Sequence, residues 1–357
     1  MPESHLPSHH YSRWEQQLRA QADWWEQEEP QRPILRVTAP AVPEQQRETF
    51  DVWCYSKEPD EPQKHINRLA ECCAQTRYLG DAFPHCNPLF AAGVLATLVH
   101  GHFEVMPDTV WVEKPTDWSE LEDICFDEND IWWQRMELTV RRAIEAGFVT
   151  ATPDIGGELD ICAAVRGTQN LLMDLIDCPE RVQRLRCDVQ ALWFEAFDRF
   201  YAMMEPAYGG SCNRWGFFAA GKQYPLQCDF AAMLSPDMFA EFVVPALEAD
   251  CQFLDYGIYH LDGPGQIAHL DHLLKIDNLR VIQWVPGAGN PGTDDSTWFD
   301  MYHRIQDTGR ALVLGGNVPT IKRFLDEFDP GLLQLSTWVA DDDQFRDLMD
   351  TVDEACA

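Results

Sequence analysis

His260 and Asp262, one residue apart in His260-Leu261-Asp262-Gly263, are the pair of side chains in this sequence best placed to do chemistry. At that spacing an extended chain points both to one side. An imidazole and a carboxylate can then share proton transfer or hold a metal ion. The same two groups could instead hydrogen-bond to each other and shape the turn into Gly263-Pro264-Gly265. Asp154, in Pro153-Asp154-Ile155-Gly156-Gly157, and His85, in Pro84-His85-Cys86-Asn87, complete the acid–base candidates, though Asp154 could equally cap the segment after it. Gln227, Asp229, Tyr259, Gln283, Trp284, Asn317, Trp215 and Trp338 are candidate substrate contacts. The indoles could floor a flat or sugar-like ligand, or pack as core. Cys228 lacks a flanking signature and reads as a buried thiol. A second His269-Leu270-Asp271-His272 run lies in a helical stretch, where capping or surface duty is the plainer reading.

These residues need a scaffold that gathers the ends of several strands. Short runs rich in β-branched and aromatic residues predict strands at 78–83, 110–114, 148–153, 206–211, 257–260, 280–285, 311–315 and 332–336. Amphipathic patterns predict helices at 131–147, 179–204, 236–254, 298–308 and 320–328. Pro179, Pro236 and Pro319 stand at or near helix starts, with Ser235 as a cap. Strand–helix alternation implies parallel strands joined by crossovers. Eight candidate strands fit a closed (β/α)8 TIM barrel over 76–357, with the Pro-, Glu- and Gln-rich stretch 1–75 as a helical or irregular N-terminal arm packed on it. An open doubly wound sheet is the rival. No GxGxxG follows an early strand, however, and Gly287-Ala288-Gly289-Asn290-Pro291-Gly292 reads as a loop. In a barrel the candidate residues meet at the C-terminal ends of the strands, where a site is built.

Charge narrows the partners. The chain of 357 residues carries 59 acidic against 27 basic residues, a net charge of −32, which disfavours nucleic acid. No apolar run approaches the ~20 residues of a membrane helix. The first residues carry no apolar signal segment, so a cytoplasmic protein with a small-molecule substrate is expected. The twelve cysteines are scattered without a CxxC and read as reduced, mostly buried thiols.

From Arg77 onward, four short motifs occur in an order that resembles the uroporphyrinogen decarboxylase superfamily, which includes cobamide-dependent methyltransferases. His260-Leu261-Asp262-Gly263 is similar to its His-x-Cys-Gly element, and Gly315-Gly316-Asn317-Val318 to its Gly-Asn-Val-Asp element. Leu332-Leu333-Gln334-Leu335-Ser336-Thr337 resembles its last strand, and Ser235-Pro236-Asp237-Met238-Phe239 a helix opening. The resemblance implies a (β/α)8 barrel with a deep cleft, a divalent metal such as zinc, a corrinoid carried by a partner protein, and a homodimer. Asp262 stands where the methyltransferases have a zinc-binding cysteine, and Thr337 and Trp338 end the last strand without one. A metal held by His260 and Asp262 would therefore be a harder site than a thiolate one. The decarboxylases grip carboxylates with an N-terminal Arg-x-x-x-Arg cluster absent here, and Phe83-Pro84-His85 replaces their Phe-Ser-Asp, which argues against an octa-anionic tetrapyrrole. The first expectation is corrinoid-linked methyl transfer. The alternatives are a decarboxylase-type lyase on a carboxylated substrate and a non-catalytic ligand-binding barrel.

Overall fold

A computed structural model describes residues 8–27, 32–99, 102–106, 110–113, 116–122 and 124–357. Its strands, in chain order, are β1 (Ile34–Pro40), β2 (Thr76–Gly80), β3 (His85–Cys86), β4 (His102–Val105), β5 (Val110–Glu113), β6 (Val149–Thr150), β7 (Ser211–Cys212), β8 (Phe218–Ala219), β9 (Gln223–Leu226), β10 (Tyr256–Asp262), β11 (Leu279–Val285), β12 (Ala311–Gly315) and β13 (Leu333–Trp338). Seven of them form one central sheet in the order β2-β1-β13-β12-β11-β10-β9. Every pair in it is parallel except β1 with β2. The architecture is α/β with a mostly parallel sheet. Helices occupy the crossovers, as parallel neighbours require.

The rest of the ladder differs from the eight-strand expectation. β3 pairs in parallel with β6, and a single parallel bridge joins Ala151 to Cys212. The predicted strand at 110–114 belongs to an antiparallel hairpin of β4 with β5, and its Lys114 lies outside the described residues. The predicted strand at 206–211 is mostly helix. Pro179–Tyr208 runs on through Pro206 and stops at Gly209, whose φ of 78° permits the left-handed cap. Pro206 forfeits one backbone hydrogen bond near the helix end, while Trp193, Phe197, Phe200 and Met204 anchor the helix in the core. The single helix expected at 236–254 is two, Pro236–Phe242 and Val244–Phe253, because Pro245 in the second's first turn cannot continue the first's hydrogen bonds. Ser235 caps Pro236–Phe242 as expected, accepting from the Met238 N–H at 3.2 Å.

Within the stretch 1–75, expected to be a helical or irregular arm, β1 lies inside the sheet, between β13 and β2. Its alternation explains why. Leu35, Val37 and Ala39 face the large core beneath the helices, while Ile34 and Arg36 face the opposite way. The same two-sidedness runs across the sheet: Leu261, Ile282, Trp284, Leu312, Leu314, Leu333 and Leu335 pack into the helix-side core. On the other face, Ile34, Ile258, Val281, Ala311 and Val313 make a second core near the strand starts, closed by Trp24, Trp25, Phe217 and Tyr256. Trp24 and Trp25 come from the helix Ser8–Glu26. Further along this second face the residues become polar: Arg36, His260, Asp262, Gln283 and Ser336.

No helix among the described residues is long and apolar enough to cross a membrane. Trp25 is almost fully buried, and its indole N–H donates to the Phe218 carbonyl at 2.9 Å. Trp25→Ala is therefore expected to destabilise the protein by about 3 to 5 kcal/mol, measured by urea unfolding. A loss below about 1 kcal/mol would mean that the second core does not depend on this helix.

Candidate functional site

The polar end of the second sheet face is organised by two arginines. Arg214 follows β7 in the turn Asn213-Arg214-Trp215-Gly216. Its Nη1 donates to Asp154 Oδ2 at 2.5 Å and its Nη2 to Gln227 Oε1 at 3.1 Å. The other Asp154 oxygen accepts from the Gly156 N–H at 3.0 Å and from the Tyr224 hydroxyl at 3.2 Å. Asp154 thus closes its own turn and fixes a guanidinium, an anchoring duty more than a free acid–base one. The Arg214 guanidinium lies 4.9 Å from the Trp215 ring.

His260 projects from β10 beside Gln283 of β11, its register partner. Gln283 Nε2 donates to the Trp284 carbonyl at 3.0 Å, which turns the amide oxygen towards His260 Nδ1. That oxygen can only accept, so Nδ1 carries the proton and Nε2 keeps the lone pair. Burial pushes the imidazole down to about 4, with the positive Arg214 adding to the shift; the Gln283 hydrogen bond and the charges of Asp262 and Asp154 oppose it. His260 is a neutral base at neutral pH. The Trp215 ring stands 5.9 Å from it.

Acidic groups crowd the same place. Burial raises the Asp229 carboxyl above the usual range, and repulsion from Asp262 and Asp154 raises it further, against the pull of Arg214. Asp160, on the helix Glu158–Arg166, accepts from the Asp229 N–H at 3.0 Å and the Phe230 N–H at 2.8 Å, fixing the loop that carries Asp229. Burial, then the charge of Asp229, pushes Asp160 up to about 7. A carboxyl that can hold a proton near neutrality therefore sits behind Asp229.

Arg36 is the second arginine. Its Nη1 donates to the Trp215 carbonyl, its Nη2 lies 3.4 Å from His85 Nδ1, and the rings of Phe83 and Phe217 flank it at 5.8 and 5.5 Å. Gly216, at φ +80°, leaves the room: a Cβ there would come within 2.4 Å of the guanidinium. Burial lowers the Arg36 pKa, its Nε has no partner, and among the described residues no carboxylate forms an ion pair with it. Burial likewise pushes His85 down to about 3, helped by the charge of Arg36, so it is a neutral acceptor. Among the described residues, the buried Thr152 hydroxyl and both polar atoms of the Gln334 amide also have no partner.

His260, Asp154, His85, Gln227, Gln283 and Trp215 are thus connected through the two arginines and Gln283, while Asp229 and Asp262 join them through charge. Four other candidates lie apart. Tyr259 and Trp284 alternate onto the helix side, where Tyr259 donates to Gln266 Oε1 at 3.1 Å and Trp284 packs 5.1 Å from Trp298. Asn317 caps the helix Val318–Glu327, accepting from the Thr320 N–H and hydroxyl at 3.0 Å each. Trp338 is 59% exposed at the end of β13. Arg36, Arg214, Tyr224 and Asp160 escaped the sequence reading. The one available signal was Arg36 itself, a charge within the apolar alternation of Ile34–Pro40.

Catalytic zinc uses three protein ligands. Among the described residues no three His, Cys, Asp or Glu side chains converge as a ligand set, and Arg214 already places a positive charge on His260. The donor set does not fit zinc.

No protein-family model matches the sequence, and no curated protein matches it. Among solved structures, a methyltransferase from Methanosarcina mazei aligns with a TM-score of 0.58 at 12% identity, covering 95% of this chain and 98% of that one. The likeness is one of fold.

The depressed histidines give a pH signature. Their folded-state pKa values lie below 6.5, so the stability they contribute is present above about 6.5 and is lost as pH falls through about 4 and about 3. An NMR titration should place the His260 midpoint near 4, and His260→Gln should flatten the acid-side loss of stability. A midpoint near the ordinary 6.5 would mean that the imidazole is solvated and unoriented.

Proposed function

We infer that this chain is an enzyme acting on a small anionic molecule at the polar strand ends, and that it moves a methyl group in the corrinoid-linked manner. The observation that carries the anionic substrate is Arg36, a buried guanidinium whose neighbours are a carbonyl, an imidazole and aromatic rings. A carboxylate is the natural partner for such a fork. The fold shared with a methyltransferase supports methyl transfer as the reaction class. In the same reading the sheet closes into a (β/α)8 barrel. The parallel pairing of β3 with β6, the Ala151–Cys212 bridge and the Ser211 Oγ contact to the Gln223 N–H at 2.9 Å support closure through these short pieces.

The roles follow from chemistry. Arg36 would hold the substrate carboxylate, and Arg214, fixed by Asp154, would offset part of the negative charge of Asp229 and its acidic neighbours. His260 Nε2 would accept a hydrogen bond or proton from the substrate. Asp229, which holds its proton more tightly than an ordinary carboxylic acid, would protonate the heteroatom that loses its methyl group. A corrinoid on a partner protein would supply the methyl acceptor or donor. Arg36 together with Asp229, whose carboxyl burial and neighbouring charge make harder to ionise, also favours a second reading, a decarboxylase-type lyase, in which Asp229 protonates the carbon left by departing CO2.

Anaerobic incubation with cob(I)alamin and N-, O- or S-methylated small carboxylates should yield methylcobalamin and the demethylated acid. Arg36→Gln should lower kcat/KM by about a hundredfold, roughly 3 kcal/mol, mainly through KM. CO2 release without methyl transfer would replace the first reading by the second. Neither product from any acid tested would remove both.

A further inference from the structure

The opposite end of the sheet holds a second basic site. Where β11 and β12 begin, a cavity of about 440 Å³ is lined by Trp24, Trp25, Arg280, Arg310, Asn278 and Thr308. That volume suits a small organic ligand. Two guanidiniums meet there in a chain with 59 acidic and 27 basic residues, yet among the described residues neither forms an ion pair. Arg310 donates through Nη2 to the Ile276 carbonyl at 2.9 Å, and its Nε is buried without a partner. Asp277 acts on Arg310 only at longer range, and burial outweighs it. The Arg280 guanidinium stands over the Tyr256 ring at 5.5 Å, and the Tyr256 hydroxyl is taken by Glu26.

The rim is already built. Asn278, at φ 61°, ties its loop down with Nδ2 bonds to the Cys251 and Leu254 carbonyls at 2.7 and 2.8 Å. Opposite it, the turn at Gly309 is closed by its N–H donating to the Gln306 carbonyl at 2.7 Å. Both indole N–H groups are spent, Trp24's on the Arg32 carbonyl and Trp25's on the Phe218 carbonyl, so the rings offer only apolar surface to a ligand. Two arginine forks in a cavity partly lined by indole rings match a compact oxyanion attached to an organic group. We propose that this cavity binds a small organic phosphate, independently of whatever is bound at the polar strand ends.

Isothermal titration with inorganic pyrophosphate, with citrate as a carboxylate control, tests the site without any knowledge of the reaction. Saturable pyrophosphate binding is expected, accompanied by a rise in the thermal midpoint. Arg280→Gln and Arg310→Gln should each weaken it by about tenfold or more, while Arg36→Gln leaves it unchanged. Both rim arginines are partly exposed, and variants whose unliganded midpoint matches the parent qualify for the comparison. Absence of saturable binding, binding that survives both rim substitutions, citrate bound as tightly as pyrophosphate, or binding lost with Arg36→Gln would each overturn the proposal.

Discussion

A guanidinium withdrawn from water without a counter-charge is among the more expensive arrangements a protein can hold, several kcal/mol before compensation. Arg36 is held that way by β1, by two phenylalanine rings, by the Trp215 carbonyl and by the space that Gly216 leaves. Much of the polar sheet end follows from it. His85 must stay neutral beside it, and the Trp215 turn must present a carbonyl to it, which places Arg214 of the same turn against Asp154. Tyr224 and Gln227 are then ordered around the Arg214–Asp154 pair, while Asp160 ties down the loop that carries Asp229. The chain is rich in carboxylates, yet among the described residues none forms an ion pair with Arg36.

The two faces of one sheet make this arrangement tolerable. The helix-side core absorbs the apolar members of each strand, including Tyr259 and Trp284. The second face is apolar at the strand starts and polar at the strand ends, so one short strand such as β10 carries Ile258 in a core and His260 and Asp262 at its polar end. Protonation states divide in a useful way. Histidines are driven neutral, whereas Asp229 and Asp160 are driven towards their protonated forms, all mainly by burial and then by neighbouring charge. Environments that push acid and base groups in opposite directions are how a site divides proton-donating from proton-accepting roles.

Periodicity was enough to find β10 to β13 and the helices at 131–145, 179–208, 236–253, 299–306 and 318–327, because alternating or amphipathic segments carry their own signal, but it passed over others, among them Pro62–Ala74, Thr168–Asp177 and Asp342–Ala355. It failed where a strand is two residues long, as in β3 and β7, or where a helix carries a proline through its last turn, as at Pro206. Strand-end polarity picked out His260, Asp262 and Asp154 because glycine and proline mark those turns. It could not say which face a residue takes when register is unknown, and so it assigned Tyr259 and Trp284 to the wrong side of the sheet. Asn317 looked like a ligand contact and is a helix cap, two roles that one asparagine beside a proline cannot distinguish. Arg36 was hidden because β1 lies in a stretch whose composition reads as a surface arm.

The most direct measurement is a crystal structure of the protein soaked with a small carboxylate. The expected result is a carboxylate seated on Arg36 at the polar strand ends, within hydrogen-bonding reach of its free Nε, with His260 still turned by Gln283. An Arg36 swung into solvent, or paired with one of the protein's own carboxylates, would contradict it.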